Sequence, residues 1–265
     1  MIISWGMLKD VWAFRGFIFS SVKREFLSRF VNTRLGALWL ILQPAAMIFV
    51  YTIIFAELMK PSLPGKTSRF AYSIYLCSGL ITWTLFADLL SRSISIFVDN
   101  AYLLQKIQFP KLCLPIVAIL SSLLDFAVIM GIFLIFLAVT GNFPGLVILG
   151  VFPPLAVLIS FAIGFGIFLG VINVFYRDVS QTMRVVLQFW FWLTPIVYVD
   201  VPDAARIFLK LNPIFPIVDA MHRIFVYESF PEWGSLLYPA LLSVVMLFLG
   251  MYAFWKLHGE IVDEL

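Results

Sequence analysis

Stretches without a formal charge punctuate the chain. Leu35 to Ala56, Phe70 to Ala87 and Trp233 to Trp255 run for 22, 18 and 23 residues, and crossing a ~30 Å hydrocarbon core takes about 20 apolar residues in helix. Phe126 to Tyr176 holds 51 residues with no charge, interrupted by the turn-forming cluster Thr140-Gly-Asn-Phe-Pro-Gly145. That pattern predicts two spans and a tight turn, the first beginning upstream near Leu112 and containing Asp125. The second holds Gly164 and Gly170, residues suited to close helix packing. Val185 to Val199 has only 15 uncharged residues, about 22 Å of helix at ~1.5 Å per residue, so a span there starts before Arg184 or falls short.

The expected fold is therefore an all-α polytopic membrane protein, one transmembrane domain over residues 1–265. Its six spans are expected at 35–56, 70–98, 112–139, 146–175, 181–199 and 234–256. Residues 200–233, with Pro202, Pro213, Pro216 and Pro231 among short apolar runs, read as extracytoplasmic amphipathic helices or a re-entrant segment. Leu8 to Phe30 places Phe14, Ile18, Val22, Phe26 and Phe30 at four-residue spacing, which predicts an amphipathic interface helix over 8–30. Arg15, Glu25 and Arg29 fall near that apolar face; long basic side chains reach headgroups from such positions.

Composition agrees, with 62% hydrophobic and 12% charged residues against roughly 45–50% and 25% in soluble domains. Charges in the first thirty residues break any uninterrupted apolar signal region, so no cleaved signal peptide is expected. Lys and Arg divide twelve to six between the two sets of loops, which predicts cytoplasmic termini. The net charge of +3 gives no indication of nucleic-acid binding. Cys77 and Cys113 are too few and too badly placed for a disulfide framework.

Candidate chemistry is sparse. Gly65-Lys66-Thr67 lacks the earlier glycine of a phosphate loop, Lys60 standing in its place. The two histidines, His222 and His258, belong to no HExxH pattern, and no G-x-S-x-G occurs. Asp88 and Arg92 stand four apart on one helix, the spacing of a structural ion pair. Asp125 reads either as a proton or substrate site or as the partner of a basic group near the cytoplasmic side. Aromatic residues make up 17% of the chain, and Phe189, Trp190, Trp192 and Tyr198 cluster along one short span. Such rings stack on the C–H faces of sugars, and they equally anchor a membrane interface.

A resemblance goes further. Arg34-Leu-Gly-Ala-Leu-Trp39 with Gln43-Pro44, QKIQFPK from Gln105 to Lys111, NVFYRDV from Asn173 to Val179, TPIVY from Thr194 to Tyr198, and Asn212-Pro213 follow one another in order. Together they resemble the permease subunit of ABC exporters that carry lipid-linked O-antigen, and related capsule or teichoic-acid polymers, across the bacterial inner membrane. The resemblance implies a homodimer of this chain joined to two copies of a cytoplasmic ATPase, with ATP and Mg on that partner and no cofactor on this chain. It implies passage of a polyprenyl-diphosphate-linked polysaccharide through a channel between the two permeases, for which the aromatic reading above offers Phe189, Trp190, Trp192 and Tyr198 as lining candidates. It also implies ATPase contact by the interface helix and by Gln105, Lys106, Phe109, Pro110 and Lys111, with Arg177 and Asp178 adding support. The bland alternative for Lys106, Lys111 and Phe109 is topology signalling and headgroup contact. Two other functions fit six such spans: a drug or small-lipid ABC permease, and a membrane enzyme using Asp88 or Asp125 on polyprenyl phosphates.

Overall fold

The computed structural model describes residues 12–28, 38–53, 63, 70–102, 113–199, 209, 211–257 and 259–264. They form α1 (Arg15–Ser28), α2 (Leu38–Tyr51), α3 (Ala71–Asp99), α4 (Cys113–Val139), α5 (Phe152–Phe175), α6 (Asp178–Trp192), α7 (Phe215–Phe225), α8 (Leu237–Leu257) and α9 (Glu260–Glu264). Tight 3₁₀ turns at Gly145–Val151 and Trp233–Leu236 lead into α5 and α8. Four segments are long and apolar enough to cross a membrane: Ala71–Asp99, Cys113–Val139, Gly145–Phe175 and Trp233–Leu257. The protein is thus an all-helical, multi-pass membrane protein.

Each of the four contains part of a charge-free run, although α3 continues through Asp88, Arg92 and Asp99 and α4 carries Asp125; a helix closes its backbone hydrogen bonds internally, the condition for standing in lipid. Between helices in lipid the hydrophobic effect contributes little, so packing has to hold the bundle together. α3 is its axis: Phe86, Leu90 and Phe97 are fully buried against α5, α4, α6 and α7. α5 and α8 approach backbone to backbone. A methyl group on Gly164 would stand 2.6 Å from the Met246 carbonyl carbon, and one on Gly250 would stand 2.5 Å from the Gly164 oxygen. Gly170 meets α3 the same way, 2.6 Å from the Ser93 oxygen.

Near the α3 start, Phe70 meets Phe136 edge-on, and Phe133 of α4 meets Phe225 of α7; this is the upper end. At the lower end Phe97 stacks on Phe254, and Ile261 is buried beside Leu114 and Val174. α1 lies against the lower half of α4, where Ile18 and Val22 pack on Cys113, Ile116, Val117 and Leu120. The apolar face expected to meet lipid is covered by protein at these two residues.

One expectation needs correction. α6 begins at Asp178, ahead of Arg184, and ends at Trp192; residues 193–199 leave the helix although the sequence stays apolar. Pro195 lacks an amide hydrogen and disfavours helix at Thr194, and hydroxyls on α3 supply hydrogen bonds to the turn carbonyls, as described below. Within the segment 200–233, α7 is packed against α3, with Ile217, Val218, Met221, His222 and Phe225 buried.

Candidate functional site

The upper half of the molecule is organised around the break between α6 and α7. The Tyr72 hydroxyl donates to the Val197 carbonyl, and the Tyr75 hydroxyl lies 3.1 Å from the carbonyl oxygens of both Pro195 and Tyr198. These two α3 side chains supply donors to carbonyls that stand outside a helix; a buried acceptor left unsatisfied costs about 1–3 kcal/mol. Beside them, Asn212 acts as a hub. Its Oδ1 accepts from Trp190 Nε1 and from the Ile214 amide, each at 3.0 Å. Its Nδ2 donates to Thr194 Oγ1 at 2.9 Å. The two short motifs TPIVY and Asn212-Pro213 therefore meet in space.

His222 stacks on Tyr75 with centroids 3.7 Å apart. It approaches α3 where Gly79 leaves room, since a methyl there would lie 2.8 Å from Nε2.

The four aromatic candidates do not share one environment. Phe189 and Trp192 are 67% and 60% exposed, on the outer face of α6. Trp190 turns inward, edge-on to Trp83 and Phe86 and tied to Asn212. Tyr198 is half-buried and donates to the Trp192 carbonyl at 3.0 Å. Of the coupling candidates, Gln105, Lys106, Phe109, Pro110 and Lys111 lie outside the described residues, as do Gly65 to Thr67. Arg177 and Asp178 are exposed on the tight α5–α6 turn. Asn173 holds that turn, accepting from the Ser180 amide at 3.0 Å and donating to the Ile94 carbonyl at 3.2 Å. Asp178 stands in the first turn of α6, where a carboxylate complements the helix dipole.

Midway along the bundle, a groove of about 670 Å³ opens between α2, α3 and α4. Trp39, Gln43, Pro44, Tyr51, Leu80, Thr84 and Phe126 line its length, and Asp88, Ser122 and Asp125 its polar end. Behind these acids lies Arg92. Its Nε is 2.9 Å from both Asp88 carboxylate oxygens, the pair expected from the sequence. Its Nη2 reaches Asp125 at 3.4 Å, so Asp125 does partner a basic group. Its Nη1 donates to Glu25 of α1. Ser121 and Ser122 donate to Glu25 and Asp88 at 2.8 and 2.5 Å. Among the described residues no group of three or more His, Cys, Asp or Glu is arranged to hold a metal ion.

Glu25, Ser121, Tyr72, Tyr75 and Asn212 were missed as organising residues. For Glu25 a signal was available: Ile18, Val22 and Glu25 follow the four-then-three spacing of one helix face, and a carboxylate on a buried face needs a cation. Nothing in the sequence marks Tyr72 or Tyr75, whose partners lie 120 to 125 residues away.

Comparison with known proteins agrees with this architecture. The chain is 26% identical to the O-antigen export system permease protein RfbA of Myxococcus xanthus, over 98% of this chain and 99% of that one. It is 25% identical to RfbA of Klebsiella pneumoniae, over 91% and 92%. It is also 25% identical to the polysialic acid transport protein KpsM of Escherichia coli, over 86% and 88%. The family model described as ABC-2 type transporter matches residues 17–226, from α1 through the hub of Asn212 to the end of α7, and the chain belongs to that family.

Proposed function

We propose that this chain is the non-enzymatic membrane subunit of an ATP-driven exporter that moves a lipid-linked polysaccharide, O-antigen or a similar polymer, from the cytoplasm to the periplasm. The observation that carries this reading is the near end-to-end similarity to two kinds of polysaccharide-transport protein, RfbA and KpsM. Both handle long hydrophilic polymers. In this reading two copies of the chain work with two copies of a separate ATPase in the inner membrane. The lower end faces the cytoplasm with both termini, residues 200–232 belong to the outer side, and α2 and α6 complete a count of six crossings.

The geometry supports the reading in two respects. Phe189 and Trp192 present their rings outward from α6, available to a polymer passing between two copies; stacking on sugar faces is sequence-tolerant, which a sliding chain requires. Trp190 has a structural role in this account, as the indole that anchors the Asn212 hub. Asp88 and Asp125, the acids an enzyme would need, are already engaged by Arg92.

The test is genetic. In a strain lacking this gene, lipid-linked glycan accumulates inside the cell and surface polymer is lost; the intact gene restores the surface polymer. Surface polymer unaffected by the deletion would reject the reading.

A further inference from the structure

We propose that Arg92 is a positioning residue that fixes α1 to the α3–α4 pair, so that displacement of α1 moves the groove those helices line. Three different nitrogens of one guanidinium face carboxylates on three different helices: Asp88 on α3, Glu25 on α1 and Asp125 on α4. The guanidinium is planar, with five N–H groups in a rigid fork, so these carboxylates cannot shift independently without losing charge-assisted hydrogen bonds. Adjacent residues of α4 brace the arrangement, Ser121 holding Glu25 and Ser122 holding Asp88. α1 also packs on α4 through Ile18 and Val22, a contact that is apolar and non-directional. Such a contact tolerates sliding; the ionic contact adds a register.

The connection leads somewhere. Asp88 and Asp125 line the polar end of the groove, so the residues that hold Arg92 also shape that cavity. Arg15, Lys23 and Arg24 of α1 are exposed, Arg24 at the edge of a second cavity that Glu25 and Arg92 also line, so the helix carries accessible basic charge. The inference rests on the export reading, in which α1 lies toward the ATPase. A partner that moves α1 differently in its two nucleotide states then biases the spans through a defined physical contact.

The experiment uses the full chain with its ATPase in vesicles containing lipid-linked glycan. Export and ATP hydrolysis are measured for wild type, Glu25→Gln, Arg92→Lys and the double variant. Hydrolysis should persist in each, while glycan moved per ATP falls on the order of 10-fold, a typical coupling free energy between sites. The double variant should be no worse than the single ones, because both remove one linkage. A second readout is independent of substrate: spin labels at Ser20→Cys and Leu124→Cys should keep one separation in the ATP and ADP states of wild type, and two separations in Glu25→Gln.

Unchanged glycan per ATP in Glu25→Gln, or an α1–α4 separation that already changes with nucleotide in wild type, overturns the linkage. If Glu25→Gln fails to assemble, Ser121→Ala, which removes only a hydrogen bond to Glu25, is measured in its place, and a wild-type ratio there also overturns it. Wild-type vesicles that move no glycan yet hold the constant separation would reject the export reading and leave the linkage standing.

Discussion

Two arginines in this protein share one local pattern and differ in what they connect. Arg92 follows Asp88 by four residues on α3, and Arg223 follows Asp219 by four on α7, each pair at 2.9 Å. Arg223 adds Glu232, nine positions on and 67% exposed, and so closes a local clamp between α7 and the turn before α8. Arg92, 24% exposed against 34% for Arg223, adds Glu25 and Asp125, which lie 67 and 33 residues away. The same i,i+4 signature thus serves a local clamp in one place and a three-helix junction in the other. The lesson is that local spacing identifies the pair, while the number and placement of its further partners decide its weight.

The largest effect should come from breaking the junction. Arg92→Gln leaves three carboxylates crowded without their guanidinium, and should cost roughly 2–3 kcal/mol, below the ~3–5 kcal/mol of a fully buried broken pair because the site is partly solvated. Thermal unfolding of the detergent-solubilised protein would show it. A cost equal to that of Arg223→Gln would erase the contrast.

The lysine variants sharpen the comparison next. A single ammonium cannot present three directions at once, so Arg92→Lys should lose about half of the Arg92→Gln effect or more, roughly 1–2 kcal/mol. At Arg223, lysine should behave as wild type within about 0.5 kcal/mol, as exposed pairs do. The same melting assay checks both.

Packing around the α6 break offers a third contrast, between residues on one short helix. Trp190→Phe removes the indole donor to Asn212 and leaves that oxygen short of a partner, which should destabilise by about 1–2 kcal/mol. Alanine at Phe189 and Trp192 should leave unfolding near wild type while export falls, measured as surface polymer at matched expression. Equal destabilisation by the inward and outward aromatic substitutions would contradict their separate assignments.

The smallest effect is that of salt. Raising ionic strength from about 0.1 to 1 M shortens the Debye length from ~10 to ~3 Å, so Arg223→Gln and wild type should converge in stability. The Arg92→Gln difference should persist. Titrating salt through the melting assay distinguishes the two sites.

Much of the fold was legible because charges are so costly in a lipid-spanning helix that their absence delimits one. The runs ending at Ala87 and Trp255 mark α3 and α8, and the one ending at Tyr176 covers α4 and α5, which the turn cluster at residues 140–145 separates. Asp88 with Arg92 was legible from spacing alone. The end of α6 at Trp192 does not follow from hydropathy, since Leu193 to Val199 stays apolar; its one local signal is Pro195, which disfavours helix at Thr194, while the tyrosine hydroxyls of α3 that receive the turn cannot be read locally. Asp219 and Arg223 left a surface helix and a re-entrant segment both open for α7; they occupy its outer side beside Glu232. Glu25 was placed near the membrane face when its helix could be read only in isolation. Its partner stands on another helix.

The central claim is that this chain, with a separate ATPase, transports lipid-linked polysaccharide. The most direct measurement reconstitutes the purified chain and that ATPase into vesicles, adds lipid-linked glycan, and follows its protection from an externally added glycan hydrolase. The account predicts that ATP makes glycan protected in inside-out vesicles, and that a hydrolysis-deficient ATPase abolishes the effect. Protection that forms equally without ATP, or none at all in vesicles whose ATPase is active and bound to the chain, would contradict it.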